Sequence, residues 1–548
     1  MGDAARAGQG WMIEGGEPDV VIIGAGSAGC VLANRLSADP ARRVLLLEAG
    51  GRDDWIWFHI PVGYLYAIGN PRADWLFRTE PQPGLNGRAL NYPRGKVIGG
   101  CSAINAMIYM RGQAADYEGW RQMGLAGWGW DDVLPYFLKH EDHAAPPGPL
   151  HAQGGEWRVE KPRMRWAILD AFIEAAVAAG VPRVEDFNGG SNEGVAYFHV
   201  NQRRGRRWSA ATAFLKPALG RPNLALRTGV LVERIVVEGG RAIGVMVREG
   251  GASRLIRAKA GVVLAAGAIA SPAILLRSGI GPGDEIARHG LAPVHERAGV
   301  GANLQDHLQI RPVYKVSGVR TLNADNRSLV RKAMMALQYG LLRTGPLTMA
   351  PSQLGAFLRS DDSVATPDLQ IHVQPLSLDR FGEDLHPFPA FTASICHLRP
   401  ESRGRVTLRS RDAAEAPVID PNYLSAARDR AVAARALEAV RRIVAQAPLA
   451  RFRPEEFRPG ADVQGEAALA KAAADLGTTI FHPVGTARMG RREDPMAVVD
   501  ERLRLIGLEG LRVIDASVMP AITSGNTAAP TMMIAEKGAA MIRADGGP

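Results

Sequence analysis

The segment DVVIIGAGSAGCVLANRL, residues 19 to 36, spaces Gly24, Gly26 and Gly29 where an apolar strand must turn sharply into a helix. Val20 to Ile23 read as a buried parallel strand and Cys30 to Leu36 carry a helical period, so the glycines stand in the strand-turn-helix setting that gives the pattern its meaning. Gly24 permits the tight turn, Gly26 lets backbone approach a phosphate, and Gly29 lets the helix pack closely. Exposed N–H groups at the turn, with Ser27 and Ala28 opening the helix, attract a pyrophosphate together with the helix dipole. A second apolar run, Val44 to Leu47, ends in Glu48 and Ala49. Glu48 stands where a carboxylate accepts hydrogen bonds from ribose hydroxyls. The pattern predicts a dinucleotide with a free ribose 2′-OH, FAD or NAD.

A chain of 548 residues exceeds one core and suggests two or three domains. Its 46% hydrophobic and 22% charged residues suit a globular enzyme. The net charge is +9, yet the basic residues are scattered and no nucleic-acid reader motif accompanies them. Their nearest approach to a cluster is Arg203, Arg204, Arg206 and Arg207, read as a solvated loop. Cys30, Cys101 and Cys396 form no CxxC pair and predict a reduced interior. No apolar run is long enough to span a membrane. Residues 1–16 read as a disordered tail without a signal-peptide core. The expected location is cytoplasmic, with peripheral attachment to the inner membrane left open.

Dinucleotide-type signals recur in separated blocks: residues 19 to 50, 225 to 281, and the C-terminus, where LRVIDASVMP leads into the helical TMMIAEKGAAMI. The expected fold is α/β combined with α+β. A Rossmann-like FAD-binding domain is assembled from residues 17–150, 205–312 and 490–548. Residues 151–204 and 313–489 form an inserted substrate domain, an antiparallel sheet backed by helices.

Further blocks resemble the glucose-methanol-choline (GMC) oxidoreductases, FAD enzymes that oxidise alcohols. PRGKVIGGCSAINAMIYMRG (93–112) is similar to that family's first signature and GAIASPAILLRSGIG (267–281) to its second. HPVGTARMG from His482, then VIDASVMP, then SGNTAAP from Ser524 follow its C-terminal order. The likeness runs nearly the whole length and is greatest to the choline dehydrogenase and aliphatic alcohol dehydrogenase branch. Physically, Gly95, Gly99 and Gly100 let backbone come close to a flat ring, and Asn105 can hydrogen-bond its edge. The resemblance implies that Val97, Asn105 and Met107 lie near the isoalloxazine and that Val232 contacts the adenine. It also implies that Asp515, Ala516 and Thr527 meet the pyrophosphate or ribityl, while Trp75 packs near the cofactor. Some relatives attach FAD through a histidine just before this asparagine. Here that position is Ile104, so non-covalent FAD is expected. In the second signature, the sequence predicts a helix beginning at Ser271–Pro272 and stopping at Gly279.

Oxidising an alcohol removes a hydroxyl proton and a hydride from one carbon. A neutral histidine can take the proton and an adjacent amide can fix the oxygen. The resemblance assigns these roles to His482 and Asn526. The expected reaction converts a primary alcohol to an aldehyde, with oxygen or a quinone-like compound as acceptor. Choline dehydrogenation proper is one alternative and fatty-acid photodecarboxylation another, the latter disfavoured by the intact His482. Neither nucleic acid nor an integral membrane segment is expected as a partner, and no metal motif is present. Tyr64, Tyr66 and Trp75 are read as packing near the cofactor or in the core, an aromatic cage around a quaternary ammonium being the alternative.

Overall fold

The computed structural model describes residues 16–379 and 383–548; the expected N-terminal tail therefore lies outside the described residues except for Gly16. VVII (20–23) and VLLLE (44–48) are apolar without alternation and buried on both faces, the property of strands in a parallel sheet covered on both sides. They form the centre of a five-stranded sheet ordered Leu511–Val513, Gly261–Leu264, Val20–Ile23, Val44–Glu48 and Leu224–Thr228. Every pairing in it is parallel. The helix Ser27–Leu36 buries most of its length and packs on the C-terminal helix Ala528–Ala544. The first glycine turn and the end of the chain thus share one core.

A second sheet has eight strands. Its main order is Glu455–Arg458, Val313–Lys315, Ala390–His397, Leu369–Gln374, Leu354–Leu358 and Gly194–Tyr197, with Leu308–Ile310 bridging Ala390–His397 to Thr478–Thr479. All its pairings are antiparallel. The helices Ala167–Ala178 and Ala427–Val444 join its apolar side in a single cluster. Leu308–Ile310 already belongs to this sheet, a few residues before the boundary expected at 312.

The strand LQIHVQ (369–374) is buried throughout. Period-two geometry sends Leu369, Ile371 and Val373 into the helix-backed core and leaves Gln370, His372 and Gln374 on the opposite face. That face looks onto the parallel-sheet half of the molecule.

Within the 225–281 block, Gly229 (φ 73°) turns the chain after Thr228. Leu224–Thr228 joins the parallel sheet, while Leu231–Glu238 enters a separate antiparallel meander with Arg241–Glu249 and Ala252–Arg257. The second-signature helix begins at Gly267, not at Ser271, and carries Pro272 inside it. A proline there frees the carbonyl four residues back. Thr486 Oγ1 donates to that carbonyl, Ala268 O, at 2.6 Å.

Candidate active site

One cavity of about 400 Å³ runs from the first glycine turn to the segment around His482. At the nucleotide end, Gly24 has φ 96°, and a Cβ on Gly29 would lie 1.8 Å from Gly24 O. Gly29 therefore lets the helix sit on the turn. No side chain caps that helix, and a Cβ on Gly26 would meet open space. With Gly26, Ser27 and Ala28 lining the cavity, unsatisfied N–H groups face it, a fitting cradle for a pyrophosphate. Glu48 accepts from Ala25 N at 2.9 Å and Gly50 N at 2.7 Å. Burial pushes its carboxyl up to about 7 against those two bonds.

The glycine-rich segment 95–107 folds over this turn. Gly100 (φ 51°) approaches so closely that its Cβ would stand 2.7 Å from Gly26 Cα. Asn105 Oδ1 accepts from Met107 N at 2.9 Å and from Arg207 Nη1 at 3.0 Å. This bends the backbone so that Met107 adopts φ 61°. Gly100, Asn105 and Met107 line the cavity, as do Glu48, Ala49, Trp75, Val232, Asp515, Ala516 and Thr527. Val97, Gly99 and Gly29 do not. The Val97 side chain is buried with Phe58, Ala73 and Ala103, and its backbone bridges Gly51, so it supports the wrap from behind. Gly99 (φ 88°) supplies the turn before Gly100. The Asp515 carboxylate is fully engaged: it accepts from Gly267 N, Ser271 Oγ, Ser517 N and Ser517 Oγ. It organises the loops beside the cavity.

His482 and Asn526 meet at the other end, with Asn526 Nδ2 3.1 Å from His482 Nε2. The antiparallel pairing of Leu308 with Thr479 sets Asp306 and His307 beside His482. Asp306 Oδ1 accepts from His482 N at 2.8 Å. Its Oδ2 accepts from Tyr92, Tyr423 and Thr479 hydroxyls. His307 Nε2 lies 3.0 Å from Leu398 O and its Nδ1 3.0 Å from His482 Nδ1. A carbonyl can only accept, so in the neutral state His307 carries its proton on Nε2 and accepts at Nδ1. His482 must then donate from Nδ1, which leaves Nε2 unprotonated and aimed at Asn526. Burial pulls His307 down to about 4. Burial first, then His307, His372 and Arg94, hold His482 well below the usual histidine range. Both rings are neutral near pH 7. Asn526 itself sits before the last helix, where Ser524 N and Oγ both donate to Asp116 at 2.7 Å.

The GMC oxidoreductase profile matches residues 18–309 with its N-terminal part and 400–535 with its C-terminal part. The mitochondrial choline dehydrogenase of Homo sapiens is 41% identical, covering 96% of this chain and 90% of its own. The oxygen-dependent choline dehydrogenase of Brucella anthropi is 40% identical, covering 95% and 94%. The chain belongs to the GMC oxidoreductase family. Among solved structures, pyridoxine 4-oxidase from Mesorbium loti superimposes with a TM-score of 0.87 at 36% identity, covering 96% of this chain and 99% of that one. This GMC oxidoreductase is an FAD-dependent enzyme acting on alcohols.

For this GMC oxidoreductase, the uncapped helix, the glycine contact and the continuous cavity fit FAD. Ile104 lines the cavity and offers no atom for a covalent link to the flavin. The sequence reading missed His307, Asp306, Gln309, Ser352, His372 and Gln374. His372 has no partner for either ring nitrogen and Gln374 none for Oε1 among the described residues, and both line the cavity. The alternation of LQIHVQ was the available signal. The aromatic cage is not assembled. Tyr66 is 50% exposed and stacks on Trp57, while Lys96 Nζ already sits 4.7 Å from the Trp75 ring centroid. Of the three, Tyr64 and Trp75 line the cavity, and Tyr64 is buried in an apolar cluster with Ile60 and Val62. Elsewhere, His143, His151 and Asp186 approach one another. The two imidazoles stack at 4.0 Å, so their lone pairs do not converge, and His151 bridges Asp186 and Glu141 as an ion pair.

Proposed function

We propose that this GMC oxidoreductase converts an uncharged primary alcohol to its aldehyde, with His482 Nε2 receiving the hydroxyl proton. The observation that carries the reading is the directed hydrogen-bond chain from Leu398 O through His307 to His482, which presents a lone pair at Nε2. The substrate hydroxyl replaces the direct Asn526–His482 contact: its proton faces His482 Nε2 and its oxygen accepts from Asn526 Nδ2. FAD, which the Gly24–Ala28 turn and the 95–107 wrap would hold, would supply the acceptor for the hydride that leaves the same carbon. As Nε2 gains the proton, the Nδ1–H bond to His307 strengthens and steadies the imidazolium.

The polar cavity residues around His482 are Gln309, Ser352, His372, Gln374 and Asn526, uncharged when the histidine is neutral, and the cation Arg94, which donates to Phe481 O at 2.7 Å. Of the cavity carboxylates, Glu48 and Asp515 are held by protein donors. Glu415 follows Asp412, whose partner Arg248 lies in the meander that also holds Val232. Asp306, the carboxylate beside His482, does not line the cavity and is taken up by His482 N and three hydroxyls, while Arg94 opposes a cation, which favours a neutral alcohol. Choline is the second reading, supported by the names of the relatives. The proposed acceptor is oxygen or a quinone-like compound, and FAD is proposed to be held without a covalent bond.

The test is a panel of aliphatic, benzylic and quaternary-ammonium alcohols mixed anaerobically with the holoenzyme. Loss of the flavin's visible absorbance with neutral primary alcohols supports the reading, and reduction by choline alone overturns the substrate class. Admitting air to the reduced enzyme then separates an oxidase from a dehydrogenase.

A further inference from the structure

The helix Leu329–Leu342 has its amphipathicity turned outward. Val330, Met334, Leu337 and Leu341 recur at a spacing of four, three and four, which places them on one stripe. They are 69%, 63%, 62% and 74% exposed. Met335 is the buried residue of the helix, and Tyr339, one turn on and on the same side, packs with Trp57, Leu65 and Leu347 around Ile60, Val62 and Tyr64. The apolar stripe is therefore on the side away from the protein. Leu329 and Leu342, at the two ends of the helix, are also exposed.

The exposed charge around this stripe is basic, the nearby Asp325 being buried and paired with Arg320 and Arg331. Residues 327–343 contain Arg327, Arg331, Lys332 and Arg343 and no acidic residue. The hairpin bearing Arg203, Arg204 and Arg206 packs on the C-terminal end of the helix. Tyr339 Oη donates to Gly205 O at 3.1 Å, and a Cβ on Gly205 would lie 2.4 Å from Arg343 O. His59, Arg203, Arg204, Arg206, Lys216 and Arg343 line one hollow there, with Lys216 paired to the buried Asp53 at 2.7 Å. The arginine run, read from the sequence as a solvated loop, thus completes a basic rim around an apolar ridge.

We propose that this face docks on a bilayer surface rich in anionic phospholipid, with Val330, Met334, Leu337 and Leu341 entering the acyl boundary and the arginines meeting phosphate groups. A second copy of the chain is the poorer occupant. A two-fold contact would set this basic rim against itself. The docked face is continuous with the active site, because Tyr64 and Ile68 of the segment beneath the helix also line the cavity. The inference goes beyond the proposed reaction and stands or falls separately from it.

The experiment is co-sedimentation of the FAD-loaded protein with phosphatidylglycerol/phosphatidylcholine vesicles and with pure phosphatidylcholine vesicles, at low and high salt. The expected result is binding to the anionic vesicles, loss of binding in high salt, and little binding to neutral ones. Leu337→Glu with Leu341→Glu abolishes it, and Arg204→Glu with Arg206→Glu lowers the partition coefficient by at least about tenfold. Retention of the flavin spectrum and of alcohol-dependent flavin reduction shows that these variants are folded. Equal binding of wild type and variants overturns the proposal, as does failure of the wild type to bind. A dimer in size-exclusion chromatography with light scattering that Leu337→Glu with Leu341→Glu dissociates, without vesicle binding, assigns the face to self-association and also overturns it.

Discussion

His307 Nδ1 lies 3.0 Å from His482 Nδ1, and the direction of that bond is fixed by a backbone carbonyl on the far side of His307. Since Leu398 O can only accept, each neutral ring in the chain has one permitted tautomer. The result is a base whose unprotonated Nε2 is held by Asn526 Nδ2 in the cavity before any substrate arrives. Preorganisation of this kind costs nothing at the moment of reaction.

Replacing His307 by Leu removes the acceptor that holds the His482 proton on Nδ1. Flavin content is expected to stay near that of the wild type, while the rate of anaerobic flavin reduction by alcohol falls about 10- to 100-fold. His307→Asn, which returns an amide oxygen near the Nδ1 position, recovers part of the rate. A purely structural role would lower flavin content in both variants alike, so rate and flavin content measured together decide the matter.

The glycine contact between Gly100 and Gly26 joins the two cofactor segments. Gly100→Ala places a Cβ 2.7 Å from Gly26 Cα at a left-handed backbone position. Backbone cannot move aside there without opening the nucleotide turn. The expected variant purifies with a lower ratio of flavin to protein absorbance, and added FAD raises its melting temperature. Gly51→Ala, whose Cβ meets nothing within 4 Å, is the control that retains flavin.

Ile104 predicts the chemical state of the cofactor. Acid precipitation of the holoenzyme is expected to release all yellow colour into the supernatant. Flavin that stays with the precipitated polypeptide would point to a linkage through another cavity nucleophile, and Cys101 is the nearest in sequence.

Burial keeps His307 and His372 neutral, with values pulled down to about 4 and about 3. In the unfolded chain both titrate at the ordinary histidine value near 6.5. Between these limits the unfolded state binds protons that the folded state does not, so stability rises with pH through this window. It is fully present above about 6.5 and is lost as pH falls toward 3, at about 1.4 kcal/mol per pH unit for each histidine. Thermal melts from pH 7.5 down to pH 4 are expected to show a falling midpoint, and His372→Gln to flatten that fall.

Much of the frame was legible in the residues because its signals are local. Apolar strands without alternation, the Gly24 turn and the punctuation of the C-terminal segment each report on their own neighbourhood. His307 was not legible, because its role depends on Leu308 pairing with Thr479, residues far apart in the chain. His372 was hidden for a related reason. Its strand alternates as a half-exposed strand would, yet its polar face is buried against the other domain. Val97 misled in the opposite way: the backbone of a glycine-rich wrap approaches the cavity while its one branched side chain packs behind. Pro272 shows a local rule overridden by a distant hydroxyl, since Thr486 takes the carbonyl that the proline leaves free.

The central claim is proton removal by His482 with hydride departure from the alcohol carbon. Single-turnover flavin reduction, followed anaerobically with a primary alcohol and its carbinol-dideuterated form, tests it most directly. The account predicts rapid loss of flavin absorbance with a primary deuterium isotope effect, and a rate lowered about 10²- to 10⁴-fold in His482→Ala with FAD still bound. Flavin reduction in His482→Ala at the wild-type rate, or no reduction of the wild type by any alcohol in the panel, would contradict it.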